Sequence, residues 1–359
     1  MLFTTPSNPR IAELEAKLDS LQARLRQGLD QPRPWTHPLR RQQQARSWFS
    51  SIRIEGYDLS PETATRLVDR PSTATSDENE AAFVCYAQAM EHVSVLADDP
   101  QFRWLDRVIY DLHFEACRFQ RDKHPGRLRE DPISVTSPHG GVAYEGPEWS
   151  RLPGLIDEFV DSLKESDGAS AAVRAAIAHL NLVSIHPFED GNGRISRIIQ
   201  SLVLARDGIL APEFGSIEQY LAAHTEDYYA VLMEVQGGTF EPRRDATPWV
   251  EFCLNAHVSQ AEDRIKIIDA AADRWGRLEE LVADKGWDDR LAIALEQSLY
   301  GSTDRSNYAA EAGIANPTAS NDLRRLVDAE LLEVTGGGRA TAYRPTSRLE
   351  ALASGADKT

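Results

Sequence analysis

The stretch AAVRAAIAHLNLVSI (Ala171 to Ile185) is apolar almost all round, with Arg174 its one formally charged residue. A helix without a polar face must be wrapped by other elements, so the chain has to build a body around this segment. His186-Pro187 ends it, because proline cannot continue a helix from its interior. After a glycine-containing turn, ISRIIQSLVLARDG resumes helical spacing and stops at Gly208, a natural C-cap.

Around this centre the predicted fold class is mainly α. The 359 residues, 42% apolar, exceed one small domain and suit a globular body with a satellite. Ile11, Leu14, Leu18, Leu21 and Leu25 form a helical stripe that fits either a short coiled coil or, preferably, a helix folded onto the body. QPRPWTHP (Gln31 to Pro38) ends that helix. Arg41 to Asp122 reads as mainly helical, interrupted by the polar STATSDENE near Ser72. DPISVTSPHGGVAYEGPEWSRLP differs. Its β-favouring runs around Ile133 and Val142, separated by Pro138, Gly140 and Gly141, predict a hairpin.

Further helices follow through TPWVEFCLNAHV and AEDRIKIIDAAADRWGRLEELVADKG, with Gly286 a boundary. Leu291 to Leu299, Ser306 to Ala312, Pro317 to Ala329 and ELLEVTGGGRATAYRP then give a helix, turn, helix and two-stranded wing, that is, a winged helix-turn-helix. The expected division is an N-terminal helix (1–34), a main domain (35–285), a winged-helix-like domain (286–348) and a disordered tail (349–359).

A formal charge of −17 disfavours loose attraction to nucleic acid or anionic lipid, so any polyanion has to be held by a local cationic pocket. Cys85, Cys117 and Cys253 are widely spaced and form no zinc pattern, which indicates a reducing, cytoplasmic setting. The first residues, MLFTTPSNPRIAEL, lack the pattern of an export signal, and no membrane span is readable, so no membrane partner is expected.

Between the two central helices stands HPFEDGNGRISR, beginning at His186. Gly191 and Gly193 let backbone N–H groups approach a ligand at a helix N-terminus, the geometry of an anion site. Arg194 and Arg197, three apart, leave the same face of the helix and repel each other unless a polyphosphate or carboxylate lies between them. Asp190 is a hard oxygen ligand suited to Mg²⁺, and His186 is a titratable base. Together these describe nucleotidyl or phosphoryl transfer. A P-loop is excluded because Arg194-Ile195 stands where Lys-Ser or Lys-Thr is required, and a calcium loop because Ile195 and Ser201 occupy its glycine and glutamate positions.

The segment resembles the Fic-family signature HPFxDGNGRxxR at every fixed position. The resemblance implies a mostly helical domain that moves AMP from ATP to a Ser, Thr or Tyr hydroxyl of a target protein, or of itself. By position it implies His186 as base, Asp190 as Mg²⁺ ligand and Phe188 as core anchor. Gly191, Asn192 and Gly193 would cradle phosphates, and Arg194 and Arg197 would hold the β and γ groups. The hairpin at Ile133, Ser134, Val135 and Thr136 (about 131–145) resembles the family's flap, which fixes a target segment by strand addition. TEDYYAVLMEVQGG resembles the part receiving adenine, with Tyr229 stacking on the base and Gln236 bonding it; tyrosines at this spacing equally suit a core.

Upstream, SSIRIEGY carries Ser51, Glu55 and Gly56, which fit the family's inhibitory pattern [S/T]xxxE[G/N] on a helix of about 42–56. The resemblance implies that Glu55 pairs with Arg197 and keeps ATP out of its productive pose. In the same reading Glu55 also positions water to remove AMP from modified targets. The tail could read DNA through Thr318, Ser320, Asn321, Arg324, Arg325 and Arg339, making the protein a DNA-binding regulator with a nucleotide-sensing body. Its balance of acids and bases favours a protein-recruiting module instead. A homodimer is compatible with the sequence.

Overall fold

A computed structural model describes residues 1–29, 33–69, 75–136, 141–164, 168–208, 212–338 and 341–355. Their regular structure is helical apart from two small antiparallel sheets. The order is α1 (Pro9–Leu29), α2 (Thr36–Ile54), α3 (Pro61–Asp69), α4 (Glu78–Asp98), α5 (Asp106–Cys117), β1 (Ser134–Thr136), β2 (Val142–Glu145), α6 (Leu152–Lys164), α7 (Ala171–Ile185) and α8 (Asn192–Arg206). There follow α9 (Pro212–Gly215), α10 (Glu218–Ala223), α11 (Thr225–Gln236), α12 (Thr247–Asp284), α13 (Leu291–Leu299), α14 (Arg305–Glu311), α15 (Asn316–Asp328), β3 (Leu332–Thr335), β4 (Ala342–Pro345) and α16 (Ser347–Ser354). None of the described helices is long and apolar enough to cross a membrane.

The chain divides into two compact units, Met1–Arg24 with Gln43–Asp263, and Leu25–Gln42 with Arg264–Thr359. This differs from the expected boundaries at 34 and 285. The two stretches read as following one another after Thr247 are a single unbroken helix, α12, so Gly286 closes a helix without separating the units.

In the first unit α7 is the wrapped centre. Ser170 caps its start by accepting from the Val173 N–H, and from Ala172 to Ile185 every residue except Arg174 is buried. α7 lies against α6 and α8, and α8 against α4 and α5. The enclosed indole of Trp249 donates to the Ala176 carbonyl at 2.7 Å. Ile11, Leu14 and Leu18 are buried, and Asn8 and Lys17 bond Glu251 and Glu262 of α12, so this stripe belongs to a helix folded onto the body.

α2 starts at Thr36, six residues earlier than the expected inhibitory helix. Pro38 sits in its first turn, where a missing N–H costs no helical bond. The helix ends at Ile54. Gly56, at φ +92°, supplies the left-handed residue that lets Tyr57 N–H bond back to the Ile52 carbonyl at 3.3 Å. Glu55 therefore stands just beyond the last helical turn.

In the hairpin Ser134 faces Glu145 and Val135 faces Tyr144, with a bulge before Thr136. Pro138 and Gly140 lie outside the described residues. β2 is held on its other side where Glu145 N–H bonds the Gly238 carbonyl at 2.9 Å.

The second unit follows the predicted order of helices and strands from α13 to β4. Its core gathers Leu295, Tyr308, Leu323, Leu326 and Leu332. The end of the chain departs from expectation. Instead of a disordered tail from 349, Thr346 caps α16 and buries Leu349 and Ala353 in the same core. These two are four apart, so even a two-turn helix turns both onto one face. Residues 356–359 lie outside the described residues.

Candidate active site

The site begins where α7 stops. His186 has φ +50°, a left-handed corner that Pro187 makes final, and its N–H still bonds the Leu182 carbonyl at 3.1 Å. Its ring Nδ1 lies 3.1 Å from the Val183 carbonyl. A carbonyl only accepts, so Nδ1 carries the proton and Nε2 keeps its lone pair. Burial lowers the pKa of His186 to about 4, leaving the ring neutral at pH 7.

Phe188 is fully buried and stacks on His113 at 3.6 Å with the rings 5° from parallel. His113 has both nitrogens assigned by their neighbours: Nδ1 accepts from Gly126 N–H at 2.8 Å, and Nε2 donates to the Asp190 carbonyl at 2.9 Å. Asn192 closes the turn, its amide exchanging two hydrogen bonds with the Phe188 backbone at 2.9 and 2.8 Å. Its side chain is thus spent on the loop, and only its backbone N–H is left to face a phosphate.

Gly191 adopts φ +77°, and a Cβ there would lie 2.4 Å from the Cys117 sulfur. The first helical bond of α8 comes from Ile195, so the N–H groups of Asn192, Gly193 and Arg194 have no acceptor within the helix. Beside this positive end, Asp190 accepts from Gly191 N–H at 2.6 Å, from Gln120 at 2.7 Å and from Arg194 at 3.1 Å. Burial raises its carboxyl, but Arg194 and these donors outweigh it and hold the pKa below the usual aspartate value.

The two arginines do not share one counter-charge. Arg194, 1% exposed in its side chain, pairs with Asp190, bonds Gln120 at 2.9 Å and lies over the Tyr57 and Phe119 rings, which touch each other, at 5.7 and 5.5 Å. Arg197 donates to the Ser51 hydroxyl at 2.7 Å, the Ser51 carbonyl at 3.0 Å and Glu55 at 2.7 Å. Burial works against its charge, yet Glu55 raises its pKa well above the ordinary arginine value. Arg194 Nε and Nη1 and Arg197 Nη1 are buried without a hydrogen-bond partner among the described residues. Gly193 lies under Glu55; a Cβ there would meet the carboxylate at 2.5 Å.

Tyr229 is 37% exposed and bonds the Ile54 carbonyl at 3.4 Å, beside Glu55. Gln236 is buried, its amide donating to Ser184 at 3.0 Å, so it is placed at the last turn of α7 with one donor already engaged. In the hairpin Ser134 and Thr136 are exposed, Ile133 and Val135 half-buried, and β2 is the sole strand paired with β1 among the described residues. Sequence reasoning missed His113, Gln120 and Arg129. Each lies in a stretch without a motif, 57 or more residues from its partner in the turn, and nothing in local periodicity signals such a pairing.

The family model described as Fic/DOC matches residues 104–204. This stretch is a Fic domain. Across curated proteins the chain is 40% identical over 201 residues to protein adenylyltransferase Fic of Nematostella vectensis, covering 54% of this chain and 44% of that one. It is 26% identical over 186 residues to protein adenylyltransferase fic-1 of Caenorhabditis briggsae, covering 49% and 35%. The chain thus spans less than half the length of these relatives. A Fic family protein from Desulfovibrio desulfuricans G20 superposes with a TM-score of 0.63 at 24% identity, covering 96% of this chain and 98% of that one. The fold is that of Fic proteins over nearly the whole chain.

Proposed function

We propose that the chain is a protein adenylyltransferase that Glu55 holds in check. The observation that carries this reading is the set of buried guanidinium N–H groups on Arg194 and Arg197 without partners, beside a helix N-terminus and a neutral histidine. Such donors call for a multiply charged anion with several oxygens, and ATP supplies one.

In the proposed reaction the hydroxyl oxygen of a target Ser, Thr or Tyr attacks the α-phosphorus of ATP. The new O–P bond forms as the bond from that phosphorus to the α–β bridging oxygen breaks; diphosphate leaves, and the hydroxyl proton passes to His186 Nε2. The N–H groups of the first turn of α8, with Arg194 and Arg197, bind the phosphates. Mg²⁺, an ion carried by one or two carboxylates together with phosphate oxygens, fits the ionised Asp190 carboxylate beside the start of α8. Asp190 would hold it, and when bound it neutralises phosphate charge. The free edge of β1 at Ile133–Thr136 would seat the target segment, and Tyr229 and Gln236 would flank the base.

Glu55 occupies the guanidinium meant for the γ-phosphate and stands over Gly193, where that phosphate would lie. Removing it frees both charge and space. We read the second unit as a protein-recruiting module rather than a DNA reader. On α15 Arg325 stacks on Trp287 at 5.0 Å and Asp322 is paired with Arg290, while Arg339 lies outside the described residues.

The test is labelling with ATP carrying its label on the α-phosphate. Glu55→Gly should transfer label to itself or to lysate proteins about tenfold or more above wild type, the effect of relieving ~1.4 kcal/mol of competition. Label on the γ-phosphate should not be incorporated. Equal labelling by wild type and variant would remove the brake from this account, and none by either, with no ATP binding by calorimetry, would remove the activity.

A further inference from the structure

We infer that Arg129 is a positioning residue that ties the neck of the flap to the general base, so that seating a target strand on β1 and placing His186 are one mechanical event. The inference rests on the proposed function for its meaning, but its geometry stands alone. Arg129 is 7% exposed and donates four hydrogen bonds. Its N–H goes to the Pro187 carbonyl at 2.9 Å, Nε to the His186 carbonyl at 2.9 Å, Nη1 to the Asp131 carbonyl at 2.7 Å and Nη2 to the Pro147 carbonyl at 2.6 Å.

Asp131 and Pro147 flank the hairpin on either side, and His186-Pro187 is the corner that carries the base. One planar, rigid fork therefore fastens both legs of the flap to the catalytic turn. All four acceptors are carbonyls, so the residue serves directional geometry more than charge pairing. A lysine could not reproduce this, since its donors converge on one nitrogen.

The surroundings show how tight the junction is. Gly146 N–H bonds the Ile133 carbonyl at 3.1 Å, closing the neck. A Cβ on Gly146 would lie 2.8 Å from Ile133, 3.0 Å from Arg129 Nη2 and 3.7 Å from the His186 Cβ. A second tie runs parallel to the first: Tyr144 of β2 donates to the Ser184 carbonyl at 2.5 Å, two residues before His186. The flap thus leans on the last turn of α7 as well as on the corner after it. Three charged groups act on the His186 ring: Arg129, Glu55 and Asp190. Arg129 opposes protonation and the two carboxylates favour it.

The test uses the full chain with Arg129→Lys and Arg129→Met, each made in wild type and in Glu55→Gly. Without nucleotide, amide exchange at Val135, Tyr144, Glu145 and Gly146 should quicken about tenfold or more in both substitutions while α7 amides keep their rates, the mark of local opening. The His186 ring, assigned by loss of its signal in His186→Asn, should titrate above its wild-type value in the Met variant, where the charge is gone. It should not do so in the Lys variant. In the Glu55→Gly background both substitutions should raise KM for the labelled target and lower kcat.

Wild-type exchange rates at the neck in both variants would overturn the inference. If the Met variant does not fold, the Lys variant decides by the same exchange measurement. If Glu55→Gly itself transfers no AMP, the proposed function falls, and the exchange and titration results judge the clamp on their own.

Discussion

At the residue scale, chemistry was readable wherever a residue type is forced by its local surroundings. His186, Asp190, Gly191, Gly193, Arg194 and Arg197 lie within twelve residues, and their spacing alone brings them to one helix end. The Arg197–Glu55 contact spans 142 residues and was legible only through the inhibitory pattern. Asn192 shows the limit of reading by position: its place suggests a phosphate contact, whereas its side chain fastens the Phe188 backbone. Gly191 makes the sharpest residue-level prediction. Alanine there has to hold φ +77° and place a methyl 2.4 Å from the Cys117 sulfur. Gly191→Ala should cost about 2–3 kcal/mol in denaturant unfolding, of which strain is about 1. Adding Cys117→Ala should recover part of that loss, since it removes the sulfur contact and leaves the strain and the 3.1 Å approach to His113 Nε2. A Gly191→Ala protein as stable as wild type would contradict this account of the turn.

At the element scale, α7 and α8 were legible because an all-apolar run followed by proline admits few other structures. The hairpin was legible from its β-favouring runs and the Pro and Gly residues between them; what anchors it was not, because Arg129 and Tyr144 act through backbone carbonyls that carry no sequence signal. α2 was read too short, since Pro38 looks like a breaker until it is placed in a first turn. α16 was missed for a related reason: eight residues carry little periodicity, and the GADKT after them reads as disorder. Its burial gives a prediction. Leu349 is fully enclosed in the core of the second unit, so Leu349→Ala should destabilise it by about 2–4 kcal/mol. Thermal unfolding of the wild type and variant checks this; an unchanged transition would mean that α16 does not complete the core.

At the scale of the whole molecule, the mainly helical class followed from the wrapped central helix, but the division into units did not, since α12 gives no compositional break at Asp263. One global property does follow from buried chemistry. Burial lowers the pKa of His113, His186 and His257 to about 4 and of His179 to about 3, against 6.5 in an unfolded chain. Between about pH 6.5 and 4 the unfolded chain therefore binds more protons than the folded one, so stability falls as pH falls through that window. A histidine moved from 6.5 to about 4 contributes on the order of 3 kcal/mol at neutral pH, as an upper figure. Two opposing effects have to be weighed. Glu218, whose burial raises its carboxyl pKa, is proton-binding in the folded state and works in the other direction, but it is one group against four. The formal charge of −17 lessens on acidification and eases self-repulsion, yet the reference value of a free carboxylate is about 4, below most of the histidine window. The histidines therefore decide the sign between pH 6.5 and 5. Denaturant midpoints should drop steadily from pH 7 to pH 5, and unfolding at pH 5.5, followed by calorimetry in buffers of different ionisation heat, should take up more than one proton. A flat midpoint with no proton uptake would show that these rings are hydrated enough to titrate normally, and burial would then not be what keeps His186 neutral.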